Sequence, residues 1–387
     1  MKIIYLHRTQ GEEPESIHIL SIANALRDLG NEVKIVGPSK KDMSSAGTNV
    51  KFLSRTKKLM PGFLFELAQI LYNIISYKRI SSELDDHNPD FIYERYALYS
   101  FAGVIAAKRK RIPLILEVNT PYAHAWSKYY KIYFPWLARR IEKLILNEAR
   151  HIITVTEVQK EFLGTQYTDA GKITVSQNAI SQNEFNPDVP PILIDWKVEE
   201  PIVVGFVGTM NRWQGVPMLS QVILKILSTF PNVVFLLVGD GEFRRRLQDE
   251  LNILEFDQRV VFTGKVAHKD VPSYVSAMDI TILPDSNTYG SPMKIFEYMA
   301  SRKAVIAPDV PPVREIMTHE ETGLIIRRGN ADDLIEAIER LVSDEEIRNL
   351  LSENGYNYVI NNHTWEANAK TIIDIAQQFT GNQSAHA

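Results

Sequence analysis

Short apolar runs recur along this chain, most of them closed by Gly, Pro or Asp, and several are separated by stretches with helical spacing. Met1 to Leu6 is rich in Ile and alternates little, the pattern of a strand buried on both faces of a parallel sheet. Beyond Pro14, residues Ile17, Leu20, Ile22, Ala25, Leu26 and Leu29 share one helical side, and Gly30 closes the run. Glu32 to Gly37 reads as the next strand, which completes a βαβ unit. Further strands are expected at Phe91–Tyr93, Pro113–Val118, His151–Val155 and Lys172–Val175, with a helix over Ala97–Lys110. Strands alternating with helices in this way make an open parallel sheet.

The rhythm breaks over 186–200, where Pro187, Pro190 and Pro191 cluster with several acids, and resumes after Pro201. Strands are expected at Pro201–Gly208, Val233–Gly239, Val260–Gly264, Asp279–Leu283, Ala304–Ala307 and Gly323–Ile326. Helices are expected at Val216–Phe230, Ala331–Val342, Glu345–Asn354 and Trp365–Phe379. The fold class is therefore α/β, with two tandem Rossmann-like doubly wound domains. The first spans 1–185, a linker 186–200, and the second 201–365, with the last helix (366–380) expected to return to the first domain. A chain of 387 residues suits two such domains.

Composition narrows the chemistry. There is no cysteine, which excludes a disulfide framework, a thiolate nucleophile and thiolate-held metal. The net charge of −4 conceals an asymmetry: residues 1–185 carry 25 Lys and Arg against 19 Asp and Glu, and the remainder carries 18 against 28. Residues 108–150 concentrate the basic surplus and interleave it with Trp126, Tyr129, Tyr130, Tyr133, Phe134 and Trp136. That pairing suits contact with an anionic membrane surface, and equally a solvated helix face with an aromatic core side. Nucleic acid is not an expected partner of an acidic chain. The first residues lack the apolar length of a signal peptide, and the apolar stretch Phe63–Tyr77 is broken by Glu66, Gln69 and Asn73. A cytoplasmic protein is expected, placed at the inner face of the plasma membrane if the basic surface binds lipid.

Three strands of the second domain end in glycine, at Gly208, Gly239 and Gly264. Ligands of open α/β sheets bind beyond the carboxyl ends of the strands, and small residues there let amides approach phosphate. No Walker loop is present, and no GxGxxG follows the first strand. The densest segment is Tyr289 to Ala300. Gly290, Ser291 and Pro292 form a turn at a helix start, with Pro292 suited to the first helical position. Lys294 and Glu297 lie three apart on one face. A lysine there opposes the helix dipole unless an anion is bound, so a diphosphate is expected near Lys294. The spacing also fits a surface ion pair.

Ser291-Pro-Met-Lys-Ile-Phe-Glu-Tyr-Met-Ala300 is followed by Ala304–Pro308, Val313–Ile316 and Glu321–Ile325. With Gly205–Thr209, Trp213–Val216, Leu237–Gly241, Tyr93–Tyr96 and Glu117–Pro121, it resembles the family-4 type retaining glycosyltransferases (glycosyl transferases group 1) of the GT-B fold. The resemblance implies two domains facing across a cleft. It implies transfer of a sugar from a UDP- or GDP-sugar to a glycan or lipid-linked acceptor, in cell-surface polysaccharide or glycoconjugate biosynthesis. Glu297 matches the second Glu of the family's Glu-x7-Glu motif, which holds the donor ribose; the first falls on Tyr289 and is missing. Lys294 matches the lysine that faces the diphosphate. Arg212 is a looser match to the basic residues after Gly208, and Gln214 stands where a lysine is common. Gly208, Thr209, Gly239, Val266, Tyr289, Gly290, Ser291, Pro292 and Met293 complete the implied donor site. Acceptor chemistry is assigned to His124 and Asn119 of the first domain, acting with Lys294 and Arg212; His124 also suits a purely structural role. No Asp-x-Asp triplet occurs, so neither metal nor cofactor is expected. A nucleotide-sugar epimerase of the same fold and a catalytically silent nucleotide-sugar binding protein are the alternatives.

Overall fold

A computed structural model describes residues 1–8, 15–38, 61–122, 132–252 and 259–380. The chain forms two compact units, Met1–Gln177 together with the chain from Trp365, and Asn178–Thr364.

The first unit holds a parallel sheet in the order β2-β1-β3-β4-β5-β6. Its strands are β1 (Lys2–Leu6), β2 (Glu32–Val36), β3 (Phe91–Arg95), β4 (Leu114–Val118), β5 (His151–Thr154) and β6 (Ile173–Val175). The second holds β12-β11-β10-β7-β8-β9, built from β7 (Ile202–Val207), β8 (Val233–Val238), β9 (Val260–Gly264), β10 (Ile280–Ile282), β11 (Ala304–Pro308) and β12 (Leu324–Ile326). Each order reverses beside its first strand, β1 or β7. Chain crossovers leave to opposite sides there and open a crevice at the carboxyl end.

The cores follow the patterning. All six residues of β8 are buried, as a central parallel strand requires. Helix Leu219–Thr229 buries Leu219, Val222, Ile223, Ile226 and Leu227, one stripe at helical spacing. The helix expected from Val216 begins there as a short 3₁₀ turn, and the helix at Glu345 runs on to Asn362.

Two departures concern boundaries. The crossing between units falls at Gln177–Asn178, before residue 185. Residues 186–200, read as a linker, lie on the second unit. There the Ile192 amide donates to the Ser273 carbonyl (2.9 Å), the Ser276 hydroxyl donates to the Val189 carbonyl (2.6 Å), and Ile194, Trp196 and Val198 pack beside Val203 and Val234. Helix Trp365–Thr380 belongs to the first unit, where the Trp365 ring meets His18 edge-on at 4.8 Å.

Helices Gly62–His87 and Pro135–Glu148 were not anticipated as elements. In the first, Glu66, Asn73 and Leu84 are the buried residues, so its polar positions point inward, against the usual rule. No helix among the described residues is long and apolar enough to cross a membrane.

Candidate functional site

In the second unit the chain turns at Gly208, directly beyond β7 and at the switch point of the sheet. The glycine edge is bonded to itself. The Gly208 amide donates to the Val238 carbonyl (2.8 Å) and the Gly239 amide to the Gly264 carbonyl (3.0 Å). These amides are therefore not the free phosphate donors expected from the glycines. What Gly208 supplies is space. A Cβ there would run into Lys294 Nζ and Gln214 Oε1, and its φ of +156° adds a penalty for other residues.

Helix Met293–Ala300 starts beside this gap. Pro292 is its capping residue, not its first helical one; no side chain caps the helix, and no acid stands in its first turn. The preceding turn is held by Asn287, whose Oδ1 accepts the amides of Tyr289 (3.1 Å) and Gly290 (2.5 Å). Gly290 thus has its N–H committed, and Pro292 has none. Asn178 donates from Nδ2 to the Ser291 carbonyl (3.0 Å), while the Ser291 hydroxyl is buried without a hydrogen-bond partner. Neither Asn178 nor Asn287 was singled out from sequence; the Asn-x-x-Gly spacing at Asn287 was the available signal for a side-chain-held turn.

Lys294 is half-buried as a residue, but its Nζ is closed off from water and has no hydrogen-bond partner. It lies 4.9 Å from the centroid of the Phe206 ring. Burial lowers its pKa to about 8 against the pull of Glu297, and burial raises the Glu297 carboxyl to about 7 against the pull of Lys294. An ammonium held dry with no bonded partner is costly in the empty protein and is satisfied by an incoming anion. Tyr298, fully buried, accepts the Val207 amide on its hydroxyl (3.0 Å) and so ties this helix to the end of β7.

The other expected donor residues are placed as follows. Thr209 is exposed and donates to Gln214 Oε1 (3.4 Å); Gln214 is buried. Arg212 is exposed, its guanidinium 5.7 Å from the Phe243 ring centroid. Val266 and Met293 are half-buried.

The first unit holds a separate small pocket beyond β4, where His18, Glu117, Asn119, Ser176 and Asn368 share the lining with apolar residues such as Ile22 and Ile372. Glu117 is its charge. It accepts from His18 Nε2 (2.8 Å), Arg95 Nη1 (2.7 Å), the Tyr5 hydroxyl (3.0 Å) and Asn119 Nδ2. Burial pushes the Glu117 carboxyl up, but His18 and Arg95 outweigh it and hold it well below the usual range. Asn119 leaves its Oδ1 buried without a hydrogen-bond partner. His124 lies outside the described residues.

Two family models match the chain side by side: Glycosyltransferase Family 4 over residues 16–184 and Glycosyl transferases group 1 over residues 195–358. The chain belongs to the family-4 type glycosyltransferases. It is a transferase of the GT-B fold. It is 25% identical to the UDP-Gal:alpha-D-GlcNAc-diphosphoundecaprenol alpha-1,3-galactosyltransferase of Escherichia coli over 70% of this chain and 71% of that protein. It is 22% identical to the phosphatidyl-myo-inositol mannosyltransferase of Mycolicibacterium smegmatis, covering 86% and 81%. The fold matches Anabaena HepE in complex with UDP at a TM-score of 0.72 and 17% identity, covering 98% of this chain and all of that one.

Proposed function

We propose that this glycosyltransferase moves a sugar with retention of configuration from a nucleotide diphosphosugar, a UDP- or GDP-sugar, to a glycan or lipid-linked acceptor. The observation that carries the reading is the buried Lys294 ammonium without a hydrogen-bond partner, beside the side-chain-free Gly208 and an uncapped helix start. HepE, solved with UDP and with UDP-glucose, supports the donor class, and the names of the two relatives support a lipid-linked acceptor in surface glycoconjugate assembly.

In this reading Lys294 and the first amides of helix Met293–Ala300, with the Ser291 hydroxyl beside them, hold the diphosphate, and Glu297 accepts from the ribose hydroxyls. The C1–O bond breaks toward an oxocarbenium while negative charge grows on the β-phosphate oxygen. Lys294 meets that charge in a site already dry, where losing one such donor costs about 100-fold in kcat. The acceptor hydroxyl attacks C1 on the face the diphosphate leaves, which retains configuration, and passes its proton to the departing β-phosphate oxygen. Arg212 lies at the exposed rim and acts on the diphosphate from there. Asn119, with its free acceptor atom, orients the acceptor from the first unit, joined by His124. The chain works without metal, on the cytoplasmic side of the membrane.

A panel of nucleotide sugars read by thermal shift identifies the donor, since a ligand that binds only the folded state raises its stability. NMR of the product then reads the anomer. Inversion, or release of free sugar and nucleotide without an acceptor, contradicts the reading.

A further inference from the structure

The donor reading uses the switch point of the second sheet; the first sheet has one of its own, beside β1, where β2 and β3 flank it. A second pocket of the first unit opens there, beyond the carboxyl ends of these three strands, with helix Gly62–His87 as its side wall. Arg8 follows β1, Gly37 follows β2, Glu94 lies near the end of β3, and Tyr72 and Arg79 come from the helix. Two glycines make room here. A Cβ at Gly37 would run into the His7 ring, and a Cβ at Gly103, in the first turn of helix Ala102–Lys110, would run into the Glu94 carboxyl.

Two buried polar atoms of this lining are left unsatisfied. Arg8 is held in place: its Nη2 donates to the Gln69 carbonyl (3.2 Å), and its guanidinium lies 5.1 Å over the Tyr72 ring. Its Nη1 is closed off from water and has no hydrogen-bond partner among the described residues. Glu94 is 3% exposed, and its Oε2 is likewise buried without a partner among them. A buried guanidinium and a buried carboxyl in one pocket ordinarily pair; here neither free atom serves the other. Burial raises the Glu94 carboxyl to about 8, against the pull of Arg8 and Ser100. At pH 7 it is therefore mainly protonated, and Arg8 and Arg79 leave the lining cationic. A neutral hydroxyl bridging the two free atoms leaves that cationic surplus uncompensated; an anion removes it.

We propose that this pocket takes an oxyanion carried by the acceptor, a phosphate or a carboxylate, which accepts from Arg8 Nη1 and from the Glu94 carboxyl, while Arg79 adds positive charge from the helix. The site is proton-linked. The bound anion holds the proton on Glu94, which donates to it, so affinity falls as pH rises through about 8. The charged and titratable groups that share the pocket with Glu94 are Arg8, Arg79, His7 and Tyr72, with the Ser100 hydroxyl beside them. The inference deepens the acceptor reading by making the acceptor an acidic one, and rests on that reading for its purpose. Anion binding needs neither donor nor transfer, so each can fail without the other.

The test is calorimetric titration of the full chain at pH 8 with sulfate, pyrophosphate, glucuronate and glucose. A Lys294→Ala background removes the donor anchor as a competing anion site. The three anions are expected to bind and glucose is not. Adding Arg8→Gln is expected to weaken the anions about tenfold or more, the effect of losing a hydrogen bond between charged groups. Sulfate does not titrate near pH 8, so its binding in buffers of different ionisation enthalpy reads the proton taken up by Glu94, about half a proton at that pH. Glu94→Gln keeps a donor and is expected to keep sulfate affinity while losing the uptake. Melting curves check each variant's fold; should Arg8→Gln misfold, the uptake lost in Glu94→Gln decides. Tighter binding of pyrophosphate than of glucuronate assigns the anion to the diphosphate of a lipid carrier, and the reverse order assigns it to an acidic sugar; both support the site. Glucose bound as tightly as the anions, no anion bound, affinity indifferent to Arg8→Gln, or uptake that persists in Glu94→Gln overturns it.

Discussion

Replacing Lys294 with Met should make the empty protein more stable while it disables nucleotide binding. Burial lowers this lysine from 10.5 to about 8, and at about 1.4 kcal/mol per pH unit that is a cost of about 3 kcal/mol to the folded state whenever the ammonium is charged. Methionine keeps the length and apolar stem and removes the charge. Nothing costly is left behind: without the ammonium, the Glu297 carboxyl, already raised to about 7 by burial, stays protonated at pH 7. The expected gain is about 1–3 kcal/mol, or roughly 2–4 °C in Tm for each kcal/mol in a chain with units of this size. The pH dependence carries a sign. Between about 8 and 10.5 the unfolded chain binds the lysine proton and the folded one does not, so wild-type stability rises across that window. Below about 8 both states hold the proton and the cost is constant. The variant should lack the rise. Urea melts from pH 7 to pH 10, with titration by nucleotide diphosphates, check both halves. A variant less stable than wild type by more than about 1 kcal/mol, with nucleotide affinity kept, would refute the reasoning, because that is the pattern of a structural ion pair.

Gly208→Ala should lose nucleotide affinity in calorimetric titration, because its Cβ displaces Lys294 Nζ; Gly264→Ala, whose Cβ meets nothing within 4 Å, serves as the control for backbone strain alone. Tyr298→Phe leaves the Val207 amide without its acceptor and should cost about 1–3 kcal/mol in urea unfolding. Glu117→Gln removes the buried charge that His18, Arg95 and Tyr5 all face in the first unit and should cost about 3–5 kcal/mol at pH 7. Since the Glu117 carboxyl is held low in the folded state, its contribution is present above the ordinary carboxylate range and lost as pH falls. The wild type should therefore lose stability in acid, and the variant should show a shallower decline in acid denaturation.

The strands were legible because parallel strands buried on both faces read as unbroken apolar runs, and all twelve fall within or beside the expected segments. Lys294 stood out for a related reason: a lysine in the first turn of a helix contradicts the helix dipole, and the structure leaves its Nζ buried without a hydrogen-bond partner. Other features were hidden by the same rules. Helix Gly62–His87 escaped notice because Glu66, Gln69 and Asn73 looked like interruptions of an apolar run, when two of them are its buried anchors. Asn178 reaches Ser291 across a long sequence separation, which no local pattern records. The glycines were noticed for their amides, yet at Gly208 and Gly239 the sheet edge uses those amides, and at Gly208 the missing side chain is what matters. The crossing between units was displaced because the prolines of 186–200 mark an irregular segment, and irregular chain can still be packed.

The most direct measurement is calorimetric titration of the full chain with UDP, GDP and their sugars, for wild type and Lys294→Ala side by side. Lys294 at the mouth of Gly208 as the diphosphate anchor predicts that at least one nucleotide diphosphate binds and that its affinity falls about 100-fold in the variant. Equal affinities for wild type and variant across every diphosphate would contradict it.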